Sequence, residues 1–253
     1  IPHVWSAVGA SPDLPAWGRD LLKETLPSAA YISVRDAASQ EQLQPLAARA
    51  KIHLVPDTVF GIANLLGTQP RTIPEPYVLL QSTPHLTPHL ASLKRILAGR
   101  KVVMLPISPG LADNRNSLPE FSNLEWRDWS NPLDAATLIA HADAVVGVSL
   151  HLSITAMAYG VPVIRPFENP LAKYQMLHGA EGIHALESCS GIPERGQPTP
   201  HTDALRAHWD TIAAIIRPLR KTTRKTIDAA ALQRLPFDRE PKQAGFFKRL
   251  FKR

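Results

Sequence analysis

Apolar runs and segments of helical period alternate along this chain. Val4–Val8 reads as a strand closed by a turn at Gly9, and residues 15–26 follow at helical spacing. A β-rich run, YISV at 31–34, is ended by Arg35-Asp36. Residues 37–50 predict a helix through Ala38, Leu43, Leu46 and Ala47, and 52–55 predict a strand closed by Pro56-Asp57. Continuous apolar strands separated by helices indicate a parallel sheet covered on both faces. Residues 67–76, with three prolines and a glycine, read as an interdomain linker.

A second alternating series follows. Strands are predicted at 77–80, 101–105, 143–148 and 161–164, and helices at 88–97, from Asn131-Pro132 to His141, and at 150–159, the last stopped by Gly160 and Pro162. Residues 106–130 read as loop-rich. A short helix is predicted after Pro170, then a polar loop at 188–202 and a helix at 203–216 packing through Leu205, Trp209, Ile212 and Ile216. The expected organisation is α/β, with two Rossmann-like parallel-sheet units facing a cleft. Residues 1–66 form the C-terminal part of the first, 67–76 the linker and 77–202 the second; 203–220 is a helix packing back toward the first domain, and 221–253 is a basic tail. The chain opens directly on a strand without an initiator Met, so a truncated first unit, belonging to a longer protein, is expected.

Charge changes the picture only at one end. The 28 Lys and Arg against 22 Asp and Glu leave +6. Twelve basic and three acidic residues fall between Ile215 and Arg253, so the first 214 residues carry net −3. A mildly acidic body without a basic stripe argues against nucleic acid as a partner. Cys189 is the single cysteine, which fits a reducing compartment and hence a cytoplasmic protein. The ten His show no metal spacing, since Pro84 and Pro88 interrupt the helix that His85 and His89 would need. No metal and no cofactor are expected, and the glycine patterns of dinucleotide and NTP sites are missing from the sequence.

The chemistry concentrates at strand ends. A buried strand delivers Ser149, Leu150 and His151 to the first turn of a helix, where free N–H groups and the helix dipole favour an anion and an imidazole can move a proton. Arg35 stands at the end of another strand, where a guanidinium can clamp carboxylate or phosphate. Asp36 is placed to cap the next helix. Purely structural roles fit the same residues: His151 bonded to a carbonyl at a strand–helix corner, and Arg35 paired with Asp36. Asp57, after Val55-Pro56, either lines the same cleft or starts the next turn, and the turn is the favoured reading.

The run Val34-Arg35-Asp36-x-x-Ser39-x-x-x-Leu43, followed by Val55-Pro56-Asp57-x-x-Phe60, resembles the polysaccharide pyruvyl transferase family. The segment 143–162, with Leu150-His151 and Gly160-Val161-Pro162, is similar to that family's second signature, and Lys173 matches a lysine usual there. The resemblance implies a glycosyltransferase-B-like fold. It also implies transfer of a pyruvyl unit from phosphoenolpyruvate to a hydroxyl pair of a cell-surface polysaccharide precursor, the acceptor being lipid-linked or polymeric. By the resemblance His151 is catalytic, and Arg35, Ser149, Leu150 and Lys173 bind the donor. The family's Arg-Leu-His is Ser149-Leu150-His151 here. Two alternatives therefore stand beside this reading: a glycosyltransferase of the same fold using a nucleotide sugar, and a non-catalytic relative. In the tail, residues 245–253 alternate Phe246, Phe247, Leu250 and Phe251 with basic pairs, a pattern suited to an anionic membrane surface at the inner face.

Overall fold

The structure is a computed structural model that describes residues 3–11, 13–67, 70–108, 112–118, 121, 123–129, 131–167, 177, 179–199 and 201–222. The expected helix after Pro170, Lys173 and the 245–253 segment lie outside the described residues.

Three parallel strands form a first sheet in the order β1 (Val4–Val8), β2 (Tyr31–Val34), β3 (Ile52–Leu54). Helices α1 (Ala16–Thr25) and α2 (Ala37–Leu43) connect them. The core of this layer is small: Leu26, Ile32, Val34, Leu43, Ala47 and Ile52. The helix expected over 37–50 ends at Leu43, because Pro45 cannot continue the ladder and residues 44–46 tighten into a 3₁₀ turn.

After α3 (Ile62–Leu66) the chain builds a second parallel sheet of six strands. The strands are β4 (Val78–Gln81), β5 (Val102–Leu105), β6 (Leu124–Trp126), β7 (Ala144–Val146), β8 (Val163–Arg165) and β9 (Ile183–Ala185). Their order is β6-β5-β4-β7-β8-β9, with α4 (Leu90–Ile96), α5 (Pro132–His141) and α6 (Leu150–Ala158) as crossovers. The central strands β4, β5 and β7 are buried along their whole length, as expected of a sheet covered on both faces. Ile73, within the proline-rich 67–76 segment, is buried in the same core, and the Tyr77 hydroxyl donates to the Leu138 carbonyl at 2.6 Å. Burial pushes the Tyr77 phenol up to about 12.

Two strands fall where the apolar pattern gives no sign. β6 lies within the loop-rich 106–130 stretch and β9 precedes the polar loop. Each has three half-buried residues at an edge of the sheet. The polar loop is itself pinned. Arg195 donates to the carbonyls of Ala140, Ala142 and Tyr159, gathering the ends of α5 and α6. Gly160, at φ +67°, lets the loop approach so closely that a Cβ there would stand 2.5 Å from the Gly196 carbonyl.

The chain divides into two compact units, 1–210 and Thr211 onward, and α7 (Thr202–Thr222) runs across the division. In the first unit Leu205 is buried while Trp209 is 49% exposed; in the second, Ile216 is 44% exposed. The apolar stripe expected on this helix is therefore only partly used. His208 does what no apolar residue could. It is buried, its Nε2 is 3.0 Å from Ser6 Oγ, and its Nδ1 is 3.1 Å from the Tyr31 hydroxyl.

Candidate functional site

The site begins at the carboxyl end of β2. Asp36 caps α2, its Oδ1 accepting from Ser39 N at 2.7 Å, and the Ser39 hydroxyl in turn accepts from Ala10 N at 2.8 Å. This local hydrogen bonding fixes the backbone on either side of Arg35 and leaves its side chain to project beyond the sheet. The guanidinium rests against Gly9, where an added Cβ would fall 2.7 Å from Nη2. Its Nη1 donates to Asp57 Oδ2 at 3.1 Å, while Asp36 Oδ2 lies 3.8 Å from Nε. Nε is buried without a hydrogen-bond acceptor.

Asp57 combines two tasks. Oδ1 caps the 3₁₀ turn of Thr58–Gly61 by accepting from Val59 N at 3.0 Å, as the start-of-turn reading requires. Oδ2 faces outward to Arg35 and to Nε2 of His151, 3.8 Å away. The sequence reading weighed a cleft-lining role for this residue and favoured the turn. The only sign of that role was Asp57's place after Val55-Pro56 at a strand end.

The third group comes from the second sheet. At the end of β4, Gln81 is fully buried and its Oε1 accepts from both Val148 N (2.8 Å) and Ser149 N (2.9 Å). Its Nε2 donates to Asp113 Oδ2 at 2.8 Å. This clamp, absent from the sequence reading, holds the elbow between β7 and α6. Gly147 permits it, since a Cβ there would meet Gln81 Oε1 at 2.7 Å. Ser149 is thereby enclosed: its N–H is used by Gln81, and its hydroxyl turns onto Leu152 N at 3.5 Å as a helix cap. Leu150 is buried in the core of the second sheet. The helical ladder starts with Ser153 N on Ser149 O, so the N–H groups of Leu150 and His151 precede it and remain outside the ladder. The His151 side chain is 59% exposed, and its Nε2 lies 3.5 Å from Arg35 Nη1.

The structure thus brings Arg35 and His151 together across the two sheets, with Asp57 between them. Ser149 and Leu150 stand beside them but offer backbone and capping rather than open side chains. Nε2 of His151 has a donor on one side and a carboxylate on the other, so it can accept a proton or pass one on. Arg35 has five N–H donors, of which Asp57 engages one closely, leaving capacity for an incoming anion. Among the described residues no group of three or more His, Cys, Asp and Glu side chains could hold a metal ion.

Two parallel sheets presenting polar groups at their carboxyl ends define an α/β protein of the glycosyltransferase-B kind. The chain is similar to the structure of UDP-GlcNAc 2-epimerase from Methanocaldococcus jannaschii, at 13% identity over 87% of this chain and 70% of that one, TM-score 0.57. The same archaeal enzyme in complex with UDP-GlcNAc and UDP gives 12% identity, coverage of 87% and 69%, and a TM-score of 0.52. A glycosyltransferase, SnogD from Streptomyces nogalater, aligns at 16% identity over 87% and 67%, with a TM-score of 0.44. No curated protein matches. A profile of the polysaccharide pyruvyl transferase family matches residues 2–169, and the chain belongs to that family.

Proposed function

We propose that the Arg35–Asp57–His151 corner binds phosphoenolpyruvate and transfers its three-carbon unit, as a ketal, to two hydroxyls of a saccharide in polysaccharide biosynthesis. The observation that carries this reading is the 3.5 Å approach of Arg35 Nη1 to His151 Nε2, which sets an anion clamp beside a proton-transfer group. Family membership supplies the reaction class.

In this scheme Arg35 holds an anionic group of the donor, and the Leu150 and His151 N–H groups donate to another at the positive end of α6. His151 gives a proton to the methylene carbon, which becomes the methyl group. One acceptor hydroxyl adds to the neighbouring carbon and its proton returns to His151. Phosphate then leaves, the second hydroxyl takes its place, and its proton departs with phosphate. Both hydroxyl protons are thereby accounted for.

The family's arginine is replaced by serine at position 149, and Arg165 or Lys173 is assigned to compensate for the lost charge. The Arg165 side chain is buried, with Nη2 3.4 Å from the Val148 carbonyl, so its charge sits against the same elbow. Lys173, outside the described residues, is assigned to the same donor by resemblance. The protein acts in the cytoplasm, and its basic, Phe-rich 245–253 segment brings it to the inner membrane face where lipid-linked acceptors reside.

Calorimetric titration separates this reading from a nucleotide-sugar glycosyltransferase. Phosphoenolpyruvate should bind, and Arg35→Ala should weaken it at least about tenfold, the loss of one charge-assisted contact. Binding of UDP-GlcNAc without binding of phosphoenolpyruvate would overturn it.

A further inference from the structure

A cavity of about 640 Å³ opens at the other end of the first sheet from Arg35, where β2 and β3 begin. Tyr31 and His53 line it as a stacked pair, with ring centroids 5.0 Å apart and planes 29° from parallel. The Tyr31 hydroxyl is held by His208 Nδ1 at 3.1 Å. Arg49 and Lys51 line the same cavity, beside Pro27 and Ala30. Ala48, at φ +51°, turns the chain out of the 44–46 turn and back toward β3, which sets these two cations close together. Four residues of β2 separate Tyr31 from Arg35, about 13 Å along the strand, so this cavity is distinct from the donor corner.

Charge here is one-sided. Among the described residues no carboxylate lines the cavity, and none pairs with Arg49 or Lys51. The excess is felt by His53, whose pKa is lowered by burial first and then by the Lys51 charge. Two unopposed cations match a dianion better than a single carboxylate. A phosphoryl group carries roughly two negative charges near neutral pH, and its oxygens suit both the arginine fork and the lysine ammonium. The stacked rings offer a flat apolar surface to whatever carries that group, and the volume lies in the range of small-molecule sites.

We propose that this cavity is a second anion site, where Arg49 and Lys51 bind the phosphoryl group of a phosphate ester or diphosphate against the Tyr31–His53 stack. It stands independently of the pyruvyl-transfer reading.

The first probe is inorganic diphosphate, titrated to about 10 mM while the His53 ring resonances are followed by NMR, a range suited to millimolar binding. A saturable shift is expected. Arg49→Ala and Lys51→Ala, both at exposed positions where folding is spared, should each weaken it about fivefold or more. Arg35→Ala should leave it unchanged. The second probe is vesicles of phosphatidylcholine with phosphatidic acid, which decide what bears the phosphoryl group. Vesicle retention equal in the unaltered protein and both variants assigns a free small molecule, whereas retention lost in both variants assigns a lipid headgroup. A His53 shift reproduced by sodium chloride at equal ionic strength, or indifferent to both substitutions, overturns the site. Loss of the shift in Arg35→Ala overturns it too, by placing the response at the donor corner.

Discussion

Arg35 on the first sheet and His151 on the second meet at 3.5 Å, Nη1 to Nε2, although 116 positions separate them in the chain. Each stands just beyond the carboxyl end of a parallel strand, the place where open α/β sheets gather ligands. Asp57 Oδ2 lies within 3.8 Å of both atoms and joins the two sides.

Asp57 should be the residue whose loss is felt twice. Asp57→Ala removes the cap of the 58–61 turn and leaves Arg35 without its closest counter-charge. A destabilisation of about 2 kcal/mol or more is expected in urea unfolding, with loss of transferase activity. Asp57→Asn keeps an acceptor for Val59 N and should restore part of the stability but little of the activity. Equal stability and activity for all three proteins would refute the double role.

Gly9→Ala tests the cradle of the guanidinium. The new methyl would stand 2.7 Å from Arg35 Nη2, the movable end of a long side chain, so Arg35 must swing away. Unfolding free energy should change by less than about 1 kcal/mol, while phosphoenolpyruvate affinity falls about tenfold. Undiminished affinity would show that Arg35 does not hold the donor in this position.

Gln81→Leu should be severe without touching any ligand. It strands the N–H groups of Val148 and Ser149 and removes a donor from Asp113, in a fully buried place. At roughly 1–3 kcal/mol for each unsatisfied buried group, the melting temperature should drop by many degrees. Gln81→Glu keeps an oxygen to accept from both amides but sets a carboxylate against Asp113, so its deficit should shrink as pH falls and the added charge is neutralised.

His208 gives stability a pH dependence. Burial among Ser6, Tyr31 and Trp209 lowers its pKa below the ordinary 6.5, and His53, stacked on Tyr31 beside Lys51, is lowered as well. A base with a depressed folded pKa binds fewer protons folded than unfolded in that window. Stability is therefore complete above about pH 6.5 and declines as pH falls below it, until the folded-state pKa is passed. Thermal melts between pH 5 and 8 should show this decline, and His208→Gln, which can still bond both hydroxyls, should flatten it. An unchanged slope in the variant would assign the effect to other groups.

The two-sheet plan was legible because its central strands are continuous apolar runs. VLL at 78–80, VVM at 102–104 and AVV at 144–146 announce themselves without their neighbours. β6 and β9 do not: an edge strand of three half-buried residues has neither an apolar run nor an alternation long enough to register. Arg35 and His151 were legible from their strand-end positions. Asp57 was legible only as a choice between cleft and turn, because a turn-starting Asp looks the same whether its second oxygen meets water or a guanidinium. A single Gln ending a strand likewise gives no sign of the two amides 67 and 68 positions away that it holds. Ser149, expected to bind the donor, has its N–H held by Gln81 of a distant strand and its hydroxyl turned onto Leu152 N as a cap, contacts that its own neighbours in sequence do not signal.

The most direct test follows both ends of phosphoenolpyruvate at once, with carbon label in the enolpyruvyl unit and ³¹P NMR on the phosphate, in the presence of lipid-linked saccharides. The expected result is base-stable label in the saccharide fraction matched by inorganic phosphate in equal amount. Both should fall by about two orders of magnitude or more in His151→Ala, the usual contribution of a positioned proton-transfer group. No label in the saccharide fraction, or label transferred equally by His151→Ala, would contradict the account.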